Sequence, residues 1–91
     1  MIDNDLVTVT TQRTLLTSGT TREFDVRDGQ SIAVHNKGSQ TLFVGGADVT
    51  VVNGWEIEPG VKEAYDARPG EDLYAIVASG SVPVKIMRSG D

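Results

Sequence analysis

His35 is the only histidine in a 91-residue chain without cysteine, so any acid–base or nucleophilic chemistry must be arranged around one imidazole and a set of carboxylates. It stands in "IAVHNKG", where alternation with Ile32 and Val34 puts Ala33 and His35 on the opposite, outward face of a strand. One ring excludes a multi-histidine metal site, and a triad would have to be built around this residue alone. A surface or subunit-contact histidine is expected in preference to a catalytic base. At a contact it would make association pH-dependent, since an unperturbed imidazole titrates near about 6.5.

The carboxylates form no telling pair. Asp25 and Asp28 belong to a strand end and its turn, Glu56 and Glu58 are the outward positions of a strand whose inward pair is Trp55 and Ile57, and Glu71-Asp72 follow a Pro-Gly turn. Solvated faces account for all of them, whereas a glycosidase needs two carboxylates across an aromatic-lined cleft. "DND" at 3–5 begins like a calcium loop but lacks the turn glycine and closing glutamate. "GGAD" at 45–48 lacks the Lys-Ser/Thr and following helix of a phosphate loop. No catalytic residue, metal or cofactor is expected, and the chain is read as a non-enzyme. Trp55, the sole tryptophan, suits a glycan platform or an interface anchor if exposed, and a structural role if buried.

The elements that would carry these residues are strands. No window keeps apolar residues at helical spacing, while period-two alternation of β-branched residues recurs throughout. Candidate strands lie at 6–10, 13–17, 21–27, 30–36, 41–45, 55–58, 61–67, 71–79 and 82–88. Between them sit Ser18-Gly19, Asp28-Gly29, Lys37-Gly38, Gly45-Gly46, Asn53-Gly54, Pro59-Gly60, Pro69-Gly70 and Ser79-Gly80, residues suited to tight turns. This pattern predicts an all-β fold: a single β-sandwich of jelly-roll type, or a squashed small barrel, of about eight short antiparallel strands. Residues 1–12 form an extended N-terminal arm in this reading, and 13–91 the sandwich.

Inner faces are declared by Phe24 and Val26 and by Val82, Val84 and Ile86. In "DLYAIVAS", by contrast, Leu73, Ala75 and Val77 are apolar on one face and Tyr74, Ile76 and Ala78 on the other, so the second face wants a loop or another subunit. Segments 27–44 and 68–86 echo each other and read as two similar β-hairpins, one in each sheet.

Charge and hydropathy narrow the partners. Eight basic residues against thirteen acidic ones give a net charge of -5, and the basic residues are scattered singly along the sequence, which argues against nucleic acid. No apolar run reaches the roughly 18 residues of a membrane span, and "MIDNDLVTVTTQ" lacks a secretion-signal pattern, so a mature, soluble chain is expected.

The stretch from Phe43 onward resembles small virion proteins of tailed bacteriophages. The matching residues are Phe43 to Gly46, Asp48 to Thr50, Asn53-Gly54, Pro59-Gly60, Pro69 to Ala75 and Ser79-Gly80, a pattern of turns and strands across the C-terminal two thirds. The resemblance implies a structural role in the virion: a capsid decoration protein, made in the host cytoplasm, that binds the major capsid protein on the outer head surface as a trimer and stabilises capsomer contacts. The contact residues expected under it are Leu6, Val7 and Val9 of the arm, Tyr74 and Ile76 for subunit packing, and Trp55 as an anchor. The alternative is a glycan-binding or structural β-domain of a tail or host-attachment apparatus, with Trp55, Tyr65 and nearby carboxylates on the sugar.

Overall fold

The computed structural model describes residues 2–17, 30–67 and 71–90. Its strands are β1 (Ile2–Thr10), β2 (Thr14–Leu15), β3 (Gln30–Asn36), β4 (Leu42–Gly45), β5 (Trp55–Ile57), β6 (Lys62–Ala67), β7 (Tyr74–Ile76) and β8 (Ser81–Gly90). They form two four-stranded sheets, β1-β8-β3-β6 (sheet A) and β2-β7-β4-β5 (sheet B). β1 pairs with β8, β2 with β7, β3 with β6 and β4 with β5, all antiparallel. The chain is thus one long hairpin with its tip at 46–54, rolled up so that β8 also meets β3 and β7 also meets β4. That order is a jelly roll, the sandwich alternative of the sequence reading.

Alternation explains which residues meet inside. On β8, Val82, Val84 and Ile86 are buried while Lys85 and Met87 point outward. Ile32 and Val34 of β3, Leu42 and Val44 of β4, and Ala75 of β7 complete a core of small aliphatic side chains between the sheets.

Several boundaries depart from expectation, each for a visible reason. The segment read as an arm is used inside the fold: the ladder from Ile2↔Ser89 to Thr10↔Ser81 makes it an edge strand of sheet A. Its alternate backbone groups bond β8, where a free arm would leave them to water. β2 and β7 are shorter than 13–17 and 71–79 because, one step past their ladder, backbone amides turn to a side chain and to another strand. The Leu16 amide donates to the Leu73 carbonyl at 2.8 Å, the Leu73 amide to the Thr17 hydroxyl at 3.1 Å, and the Val77 amide crosses to the Thr10 carbonyl at 3.1 Å. The candidate strand 21–27, with Phe24 and Val26, lies outside the described residues.

The two echoing segments are not hairpins within a sheet. β3 and β4 lie in different sheets, as do β7 and β8, so each segment carries the chain across the sandwich. Their four strands are the central pairs of the two sheets, β8-β3 and β7-β4.

Where β3 crosses to β4, Asn36 is fully buried and joins both layers. Its side-chain amide donates to the carbonyls of Gln40 and Ile57, each at 2.8 Å, and its side-chain oxygen accepts from the Gly38 amide at 2.9 Å. Its backbone carbonyl accepts from the Gly60 amide at 2.8 Å, and its amide donates to the Val61 carbonyl at 3.1 Å. Gly60 sits at φ 81°, which only glycine adopts readily, so the β5–β6 turn and the Asn36 site require each other.

Asn36→Ala should cost roughly 3 kcal/mol, since it strands two carbonyls and an amide in a largely buried place. Asn36→Asp should rescue only the Gly38 bond. Chemical denaturation checks both: a lowered midpoint with an unchanged slope is expected, and a midpoint within error of wild type would refute the assignment.

Candidate binding cleft and outer faces

β5 and β6 are edge strands of the two sheets and face each other across the open side of the sandwich. The register Val44↔Trp55 and Leu42↔Ile57 gives Trp55 and Ile57 inward positions on β5, and Ile32↔Tyr65 and Val34↔Glu63 give Tyr65 and Glu63 inward positions on β6. Ile57 is buried. Trp55 and Tyr65 nonetheless remain 71% and 47% exposed, because among the described residues no further strand closes the layer beyond them.

Between them lies a cleft of about 640 Å³, floored by Val34, Val44, Ile57 and Leu73 and flanked by Gly45-Gly46. Its polar lining comes from Glu63, Glu71 and Asp72. The Tyr65 hydroxyl donates to a Glu71 oxygen at 3.2 Å, and the Thr17 hydroxyl to an Asp72 oxygen at 3.3 Å, which fixes two walls relative to the core. Two aromatic surfaces beside carboxylate acceptors can stack a ring and take hydrogen bonds from hydroxyls. His35 stands on the other face of sheet A and takes no part in the cleft.

The outer face of sheet B carries an apolar band. Leu15 lies opposite Tyr74, and Phe43 opposite Ile76. Phe43, Tyr74 and Ile76 are half-buried, and Leu15 is exposed. The hairpin tip folds over one end of this band: a Cβ on Gly54 would come within 2.7 Å of the Phe43 Cβ, so glycine is needed for that approach. The Arg13 guanidinium ties the tip down by donating to the Val49 carbonyl at 2.7 Å, while Val52 at the apex is 91% exposed.

The outer face of sheet A is built differently. Leu6, Lys85, His35 and Lys62 form one cross-strand row, and Asn4, Met87, Ala33 and Ala64 the next. Partial desolvation, and then the ammonium groups of Lys37, Lys62 and Lys85, hold the His35 imidazole below its ordinary value, with a hydrogen bond to the Gly60 backbone acting in the opposite direction.

The residues expected at contacts are therefore dispersed. Val9 is buried in the core and Val7 packs against it, so these two are spent on the protein's own fold, and only Leu6 of that trio turns its side chain outward. Tyr74 and Ile76 lie on the outer face of sheet B, and Trp55 at the cleft. Sequence reasoning missed the gathering of Lys37, Lys62 and Lys85 around His35. Their spacing hides it, and only the register of β3 with β6 and β8 brings it out.

No family model matches the sequence, and no curated protein matches it. Among solved structures the chain is similar to a protein of the Bacillus endospore appendages, which form a novel family of disulfide-linked pili. The identity is 10%, the TM-score 0.51, and the likeness covers 99% of this chain and 87% of that one. At such identity it is a likeness of fold. This chain, having no cysteine, lacks the residues for a disulfide link.

Two measurements test these placements. Trp55→Ala should cost under about 1 kcal/mol, against about 3–5 kcal/mol for a buried tryptophan, and native-state fluorescence should be strongly quenched by acrylamide. The His35 ring should titrate below the ordinary histidine range by NMR, and Lys62→Gln with Lys85→Gln should raise its midpoint. Because the folded value is the lower one, the unfolded chain takes up the proton first as pH falls from about 6.5. Stability contributed by neutral His35 is therefore present above that range and declines towards the folded midpoint. His35→Gln should remove that part of the pH dependence.

Proposed function

We propose that this chain is a non-enzymatic structural protein of a tailed-bacteriophage virion, a capsid decoration protein that binds the major capsid protein on the outer head surface. The observation that carries this reading is the apolar outer face of sheet B, where Leu15, Phe43, Tyr74 and Ile76 form a band with no further sheet over it among the described residues. Such a band suits subunit packing. The turn-and-strand pattern from Phe43 to Gly80, which resembles virion proteins, supplies the setting: it spans β4, the hairpin tip, β5, β6, β7 and the crossover towards β8.

The mechanism is added buried area across capsomer joints. A trimer raises the effective concentration of its second and third contacts once the first is made, so three modest interfaces hold where one would not. Light scattering of the purified protein should give a trimer mass, Ile76→Lys should reduce it towards the monomer, and wild type should co-sediment saturably with undecorated heads. A strict monomer that never binds heads would overturn the reading.

The cleft between β5 and β6 favours a second reading, a glycan-binding β-domain of a tail or host-attachment apparatus, because Trp55 and Tyr65 stand exposed beside Glu63, Glu71 and Asp72. Sugars titrated against Trp55 fluorescence separate the two. Saturable quenching that is lost in Tyr65→Ala supports the second reading, and an unchanged signal with every sugar rules it out.

A further inference from the structure

All three lysines of the chain, Lys37, Lys62 and Lys85, act on His35, the only histidine. The rest of the sequence carries five arginines against thirteen carboxylates. The outer face of sheet A is thus a basic patch on an acidic protein. Beside the Lys85–His35–Lys62 row, Ala33 is small and the taller Asn4, Asp5, Leu6 and Met87 stand around it, leaving a shallow depression of about 540 Å³. Leu6 and Met87 border it, 64% and 49% exposed.

We propose that this face is a docking surface for an acidic protein surface that carries a projecting apolar side chain; resting on the decoration reading, it assigns the outer face of sheet A to the head. Among the described residues no carboxylate lies within ion-pairing distance of the three lysines. Asp66, on the same face of β6, is engaged by the Ser31 hydroxyl at 2.7 Å, and Asp5 lies 3.7 Å from the Arg88 guanidinium. The lysines are therefore available to an external anion. Charge complementarity also orients the encounter, because the chain carries a net charge of -5 while this face gathers all three of its lysines.

A protein partner fits better than a nucleic acid. Among the described residues the patch offers no arginine fork and no aromatic ring for bases to stack on, whereas exposed Leu6 and Met87 beside ammonium groups match the mixed apolar and polar character of a protein interface.

The test uses the full chain, undecorated heads, poly-L-glutamate and duplex DNA. Lys62→Glu with Lys85→Glu should weaken head binding about tenfold or more, and wild-type binding should fall as salt rises, while Lys62→Arg with Lys85→Arg retains it. His35 reports directly: poly-L-glutamate should shift its ring resonances and raise its midpoint, since it screens Lys37, Lys62 and Lys85, the charged groups facing the ring from the β3–β4 crossover, β6 and β8. Head binding that is insensitive to salt and to the double Glu variant overturns this inference and leaves the decoration reading standing. Failure of wild type to bind heads removes the decoration reading, and the poly-L-glutamate titration then decides the inference alone: an unmoved His35 overturns it. Stronger binding of DNA than of poly-L-glutamate overturns the assignment to a protein partner.

Discussion

The buried amide of Asn36 is the joint on which both sheets turn. Its three side-chain hydrogen bonds reach the crossover residues Gly38 and Gln40 and the last residue of β5, Ile57, while its backbone binds both Gly60 and Val61 at the head of β6. One residue on a central strand of sheet A therefore fixes where the edge strand of sheet B ends and where the edge strand of sheet A begins. The cleft depends on that registration, since Trp55 lies two residues before Ile57 and Tyr65 four residues after Val61. An apolar residue of similar size would pack, but would leave these backbone groups unpaired, which explains a polar side chain at a position that alternation reserves for the core.

From this joint outward the molecule divides into two unlike faces. Away from the cleft and the Asn36 site, both sheets fill the core with small aliphatic side chains, so their differences lie in the outward positions. Sheet B turns out Leu15, Phe43, Tyr74 and Ile76; sheet A turns out Lys85, His35, Lys62, Leu6 and Met87. Two surfaces of such different chemistry, on opposite sides of one thin sandwich, suit a protein that packs against its own copies on one side and meets a charged surface on the other.

How much of this was legible in the sequence follows from the range of the interactions. β3 was readable to the residue because "QSIAVHN" alternates cleanly and is closed by a turn. The ends of β2 and β7 were not, since they are set by bonds between Leu16, Thr17 and Leu73, partners some 56 or 57 positions apart. Strand character at Val7 and Val9 was visible, but a neighbour's sheet and the chain's own sheet impose the same alternation. The basic cluster was hidden because Lys62 and Lys85 become neighbours of His35 only through the roll of the hairpin. Trp55 shows the limit of pattern in another way: its register is inward, as alternation predicts, yet it is exposed, because what covers an inward position depends on the strand opposite.

The aromatic residues set these surfaces apart from the core. Large rings are the most effective core fillers available, each burying more apolar area than any aliphatic side chain. Among the described residues, however, Phe43, Trp55, Tyr65 and Tyr74 all lie outside the buried cluster, which is made wholly of Val, Leu, Ile and Ala. Phe43 and Tyr74 are half-buried on the outer face of sheet B, while Trp55 and Tyr65 stand exposed at the cleft. Exposed rings carry a solubility cost without a stability gain in the isolated chain. Their division between the cleft and the outer face of sheet B marks the two places where the proposed partners would cover them.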